Sequence, residues 1–588
     1  MRISRFDVMC KSCLIVLGLF AGTFLSGAEA EGRDILSDTW VAVDGLGRSV
    51  ATYDEVGPPK ENKVVGIFYF SWLGQHSTTG PHNIQEILAA DPENPPWGPA
   101  GDFHHWGESE WGYYLSDDEF VIRSHAHDLV DAGIDVIFFD VTNAFTYRNV
   151  YMTLCKVFTE IRDAGGRTPY IAFLSHFGKN RTVRELYNDF YSKELYKDLW
   201  FMWDGKPLFL AILEEEEPEL EEFFTFRRSW AWSAAAWFGD GHKAWAWLDH
   251  SPQKYGWVEP GVPEAMPVAV AQHATTNIGR SQHDGQQPPP EEQKPYEGLY
   301  FQEQWERLLE VDPQVAFITG WNEWVAQRFR SDGNQAMLGR VLPEGESFFV
   351  DAYTREYNRD IEPENTELGD SLFYQMVSNI RRFRGARPQE KAKLYYTIDV
   401  KGSMEQWDTV QPTYYDTYGD TKHRNHPGWG DAGPYVNTTG RNDFVELKAA
   451  VDTDYVYFHA ECAEDITPYT EPNWMLLFIN VDRDHKSGWY GYNYVVNREV
   501  VDGETTVLQQ TEDGWNWESV GEVTYHVEGN KLSVAIPRDM MPELGHTFEF
   551  KWADNIQKDD DIREFNISGD TAPNRRFNYL YVSDESIH

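Results

Sequence analysis

Between residues 63 and 324, short apolar runs alternate with segments of helical periodicity, and that alternation restricts the chain to a parallel α/β architecture. The spacing predicts strands at 64–70, 136–139, 170–174, 207–213, within 224–232, and at 244–248, 268–271 and 315–319. Eight is the count of a (β/α)8 barrel of the TIM type. The helix before the second strand has Ser116 and Glu119 at capping-box spacing, with Ile122, Ala126, Leu129 and Gly133 along one face. The run 214–222 is acidic with Pro218 inside it, and reads as a solvated helix start.

A chain of 588 residues exceeds what one core supports. Residues 1–30 have the form of a secretory signal: Arg2, Arg5 and Lys11 precede the apolar run 14–20, and Ala28-Glu29-Ala30 gives a small-x-small cleavage site. A barrel is expected over 31–385, closed by a helix over 370–383, and then a linker over 386–394. Beyond it the texture becomes alternating, with runs at 455–460, 475–479 and 531–536, which predicts an all-β sandwich over 395–588. A secreted protein, periplasmic or extracellular, is the expectation. No later run has the length to span a bilayer, so membrane insertion is not expected. Only Cys155 and Cys462 follow the signal, in different expected domains, which argues against a disulfide framework. A formal charge of -44 argues against nucleic acid and anionic membrane surfaces as partners. The 23 Trp and 31 Tyr exceed the needs of a core this size, so many are expected at the surface.

In such a barrel the chemistry lies where the strands end. Those positions hold Ser71-Trp72, Asp140, Ser175-His176, Asp249-His250, Gln272-His273 and Asn322-Glu323. Glycoside hydrolysis uses two carboxyls across the scissile bond, and Asp140, Asp249 and Glu323 are the best placed. Glu323, inside Gly320-Trp321-Asn322-Glu323-Trp324, leads, because two indoles and an amide can orient and shield a carboxyl and raise its pKa. Asp249 is the first choice of partner, with loop bonding as its alternative role, and Asp140 follows. Trp72, His105, Trp106, His176, His250, His273, Trp321, Asn322 and Trp324 are the candidates for binding sugar. The histidines lack a local metal-ligand pattern such as HExxH, so catalysis is expected to need no cofactor. Neither a phosphate-binding Gly-rich loop nor a serine elbow follows a strand.

The run 68–72, the block Trp111-Gly112-Tyr113-Tyr114, the segment 132–136 and the late run 321–324 resemble glycoside hydrolase families 99 and 71 over about the first three fifths of the chain. The resemblance implies a barrel hydrolase of mannan-type glycans, and the pattern is also similar to enzymes that cut fucan-type polysaccharides. Family 99 carries a second Glu three residues after the first, where this chain has Ala326. The family's mechanism and mannan-like substrate therefore do not carry over; only Glu323 maps, and its partner has to come from another strand, with Glu362 a further option. Asp399, Trp407, Asp452 and the stretch 474–489 resemble a family 9 carbohydrate-binding module. Such modules hold calcium in acidic loops, which makes Asp482 and Asp484 candidate ligands of a structural calcium, with an Asx-rich turn as the alternative. The combined expectation is a secreted, endo-acting polysaccharide hydrolase. A glycan-binding protein that has lost its second acid is the alternative, and a lyase is less favoured by the charge balance.

Overall fold

Seven of the expected apolar runs become parallel strands: β1 (Val64–Tyr69), β2 (Val136–Asp140), β3 (Tyr170–Leu174), β4 (Lys206–Leu210), β5 (Thr225–Arg227), β6 (Pro263–Ala269) and β7 (Val315–Thr319). The computed structural model describes residues 33–584 apart from 273–275 and 338, so the signal-like segment lies outside it. Within one sheet the strands lie in the order β5-β4-β3-β2-β1-β7-β6, which is that of part of a (β/α)8 barrel. Every residue of β1, β2 and β7 is buried, as expected for strands covered on both faces. Gly66 in β1 permits a close approach, since a Cβ there would stand 2.3 Å from the Phe138 ring.

The sixth expected strand, 244–248, makes no ladder. It meets the chain after β5 only through isolated bridges, Arg228 to Ala244 and Ala231 to Leu248. On its other side, side chains take over from backbone pairing: the Thr319 hydroxyl donates to the Trp247 carbonyl, and the Trp245 indole donates to Glu264 at 2.7 Å. The seventh strand begins five residues earlier than the expected 268, at Pro263.

Helix α1 (Glu119–Ala132) is capped by Asp118, which accepts from the Phe120 amide at 3.1 Å, and ends at the left-handed Gly133. Ser116 does not cap it; the Ser116 hydroxyl accepts instead from the Leu73 amide at 2.9 Å and fixes the end of β1. Helices α2 (Arg148–Asp163), α3 (Leu299–Val311) and α4 (Ser371–Arg384) add to the same packed core. No described helix is long and apolar enough to cross a membrane.

The C-terminal strands are antiparallel, as the alternating pattern predicts, but eleven of them form one continuous sheet, where two separate layers are expected. It includes β8 (Thr413–Tyr415), β9 (Phe444–Val451), β10 (Tyr455–Cys462), β11 (Thr547–Asp554), β12 (Asp570–Ala572) and β13 (Tyr579–Val582). The sheet rolls on itself because Tyr414 of β8 packs on Phe550 and Tyr579 at 5.1 and 5.0 Å and donates to the Leu580 carbonyl. Cys155 in α2 and Cys462 in β10 are buried and unpaired.

From Asp34 onward the chain forms one compact unit. Arg575 is 4% exposed and binds Asp128 of α1 together with Glu110. Arg424 binds Asp118 at 2.8 Å, and the Trp429 indole donates to the Thr79 carbonyl at 2.9 Å. The segment read as a linker is tied down as well: the Ala386 amide bonds to Gly57, and the Arg387 side chain holds Asp34 and Asp38. Replacing Arg575 by Met strands two buried carboxylates, so Arg575→Met should lose about 3–5 kcal/mol in denaturant-induced unfolding; an unchanged midpoint would show that the contact carries no stability.

Candidate active site

Strand pairing brings two of the three candidate carboxyls to one place. β1 pairs with β7 on one side and β2 on the other, so Glu323 beyond β7 and Asp140 ending β2 flank the end of β1. The two carboxyls lie near enough for the Asp140 charge to act on Glu323.

The chain between 320 and 323 is held by the later segment 359–362. The Gly320 amide donates to the Arg359 carbonyl at 2.8 Å, and the Glu362 and Ile361 amides donate to the Trp321 carbonyl at 2.9 and 3.2 Å. The Glu323 amide donates to Asp360 Oδ1 at 2.9 Å. Gly320 gives that carboxylate room, since a Cβ would stand 3.0 Å from Asp360 Oδ1. Arg359 then points Nη2 at Glu323 Oε2, 2.7 Å away, and at Asp351 Oδ1, 3.4 Å away, with its guanidinium 5.3 Å above the Trp247 ring.

Electrostatics push the Glu323 pKa upward. Its residue is 5% exposed, and burial raises its pKa well above the ordinary range; Arg359 pulls it down, while Asp351, Asp360 and Asp140 push it up. We assign the direction upward, because one guanidinium is shared among several acids. Asp140, 3% exposed, is also raised, first by burial and then by Asp351, against the Thr142 hydrogen bonds and Arg359. Thr142 bonds to its carboxyl, through its amide at 2.9 Å to Oδ1 and through its side chain. This leaves a buried acid and a second carboxyl with spare lone pairs, facing one arginine.

Asp249 is placed differently. Its Oδ1 accepts from the Ser233 amide at 3.0 Å and its Oδ2 from the Lys254 amide at 2.9 Å, so both oxygens bind loop backbone. Glu362 accepts from Ser109 at 2.6 Å, Tyr114 at 2.7 Å and the Trp324 indole at 2.6 Å, with His125 Nε2 at 3.3 Å; it anchors the loops behind the site. Asn322 clasps the end of β1, accepting from the Phe70 amide at 2.8 Å and donating to the Phe70 carbonyl at 3.0 Å. Trp321 and Trp324 are buried, and Trp324 stacks on Trp106 at 4.4 Å. His105 is buried opposite Val325, and burial pushes its pKa down to about 3. These residues frame the site from behind.

Half-buried and exposed rings border the strand ends. Trp72, His76 and Phe103 pack together, with Phe145, 55% exposed, edge-on to His76. His176 stacks on Trp230 at 3.5 Å beside Phe177, 54% exposed. His250 lies over Trp232 at 6.0 Å, and His273 falls outside the described residues. Among the described residues no Trp is exposed, contrary to expectation. Sequence reasoning missed Arg359, Asp351 and Asp360; the polar run 357–360 between β7 and α4 was the available signal.

Asp482 and Asp484 are exposed, and their carboxylates close a turn: Asp482 accepts from the Asp484 amide and the Ser487 hydroxyl, and Asp484 from the Lys486 amide.

No protein-family model and no curated protein matches the chain. Two solved structures of the family 99 endo-alpha-mannosidase from Bacteroides thetaiotaomicron align with it. One, in complex with bis-tris-propane, is 14% identical over 54% of this chain and 97% of that one, with a TM-score of 0.31. The other is 17% identical over 55% and 98%, with a TM-score of 0.32. Likeness at that level leaves fold and chemistry to this chain's own geometry.

Asn322→Ala should leave the Phe70 amide and carbonyl buried without partners and cost about 2–4 kcal/mol by chemical denaturation. A loss below about 0.5 kcal/mol would show that the clasp is dispensable.

Proposed function

We propose that the chain is a glycoside hydrolase acting on a polysaccharide, with Glu323 as general acid and Asp140 as the carboxyl across the scissile bond. The observation that carries this reading is the buried Glu323, raised in pKa yet held in place by Arg359, with Asp140 close enough for their charges to act on one another. A protonated Glu323 can donate to the leaving oxygen, and Asp140 can attack or activate water. The rings at the strand ends offer apolar faces to sugars, and the border they form, open at Phe145 and Phe177, fits endo action on an extended glycan. In this reading the parallel strands close as a (β/α)8 barrel with 244–248 in the sixth place, the antiparallel sheet is an appended carbohydrate-binding-like domain, and the protein is exported.

The missing acid at Ala326 favours one second reading, a glycan-binding protein that does no chemistry. A polysaccharide panel that includes mannan- and fucan-type chains, read by reducing ends and by affinity electrophoresis, separates the two. The hydrolase reading expects cleavage of at least one glycan, a loss of about a thousandfold or more in Glu323→Gln and Asp140→Asn, and retention of most activity in Asp249→Asn. Full activity in Glu323→Gln would sink the assignment, and retardation with no cleavage by the wild type would support the binding reading.

The pH profile offers a separate check. Arg359 lowers the Glu323 pKa, so Arg359→Met should raise it and keep the acid protonated to higher pH. The basic limb of kcat/KM should move up by about one unit or more. A limb that stays in place or moves down would exclude Glu323 as the general acid.

A further inference from the structure

The C-terminal sheet carries a cluster that the proposed chemistry does not use. Asp416 follows β8, Asp420 lies in the loop beyond it, and Asp570 opens β12. One carboxylate oxygen from each lies within 4.8 Å of those of the other two. Asp416 is 0% and Asp570 6% exposed. Asp420 provides an independent observation: its Oδ1 is fully buried and accepts no hydrogen bond, although it belongs to this cluster. A desolvated carboxylate oxygen without a donor calls for a cation.

The surroundings do not supply enough positive charge. Lys551, fully buried on β11, acts on Asp416 and Asp570 but gives its Nζ to the Pro573 carbonyl. Asp443 adds a fourth carboxylate, acting on Asp420 and Asp570 while it binds the Gly419 amide at 2.9 Å. Lys551 thus acts among four acids, with Lys422 and Arg123 lining a cavity beside them.

We propose that Asp416, Asp420 and Asp570 bind one calcium ion, which fastens the β8 loop to β12. The donors are all oxygen, which disfavours zinc, and they come from a loop and a strand start in an irregular set, which suits calcium better than octahedral magnesium. A polar cavity opens beside the cluster, lined by Asp420, Asn437 and Asp570 of the C-terminal sheet region and by His127 and Asp128 of α1, and gives the ion a route in. Calcium here would tighten the same junction that Arg575 clamps through Asp128.

The test uses the full chain, stripped of metal with a chelator and titrated with calcium by calorimetry, with Tm recorded alongside. Wild type should take up calcium tightly and gain several degrees in Tm at saturation. Asp420→Asn should lose more than about 100-fold in calcium affinity and the Tm gain with it, with Asp570→Asn as the second variant if the first does not fold. Asp484→Asn, in the exposed turn, should behave as wild type. The proposal is overturned if stripped wild type shows neither uptake nor a Tm gain, if Asp420→Asn titrates as wild type does, if Asp484→Asn abolishes binding, or if magnesium binds more tightly than calcium.

Discussion

The buried pair of Arg359 and Glu323 sets what the rest of the molecule has to provide. Removing two charges from water is expensive, and the pair persists only where backbone and side chains fix both partners. The segment 359–362 does this by running beside 320–323 and bonding to it through backbone amides and Asp360. Burial raises the Glu323 pKa, and Arg359, which also answers to Asp351 and Asp360, does not fully offset it. A single guanidinium shared among acids is thus both the anchor of the site and the tuning of its acid.

Around that pair the aromatic residues divide by task. Trp106, Trp321 and Trp324 lie behind the site, and the Trp324 indole ties to Glu362, so these rings set loop positions. Phe145, Phe177 and the half-buried Trp230 are left at the strand ends. The C-terminal half of the chain is part of this frame. Trp429 packs edge-on to His105 at 4.9 Å, and His105 pairs with Val325, two residues beyond Glu323. The second half of the chain therefore bears on the strand that follows the acid.

Much of the frame was legible because apolar runs of strand length between helical patterns have few other uses. The strands 170–174 and 315–319 form where the pattern puts them. The run 244–248 reads the same way but makes no ladder, since Thr319 and Glu264 meet it with side chains, and no periodicity encodes that substitution. The position of Glu323 just beyond a strand end was legible from the apolar run before it. Asp249, the first choice of partner in sequence with loop bonding as its alternative role, has oxygens that bind the amides of Ser233 and Lys254. Arg359 was out of reach: it lies 36 residues beyond Glu323 in an irregular loop, and only tertiary folding joins them.

The central claim is that Glu323 is held as an acid with a raised pKa, and it can be measured without a substrate. Carboxyl carbon-13 NMR of glutamate-labelled protein, with the Glu323 resonance assigned by its loss in Glu323→Gln, reports the titration directly. The account predicts a midpoint well above the ordinary value of 4.5. A midpoint at or below 4.5 would mean that Arg359 dominates, and that Glu323 is a structural counter-ion without a role as acid.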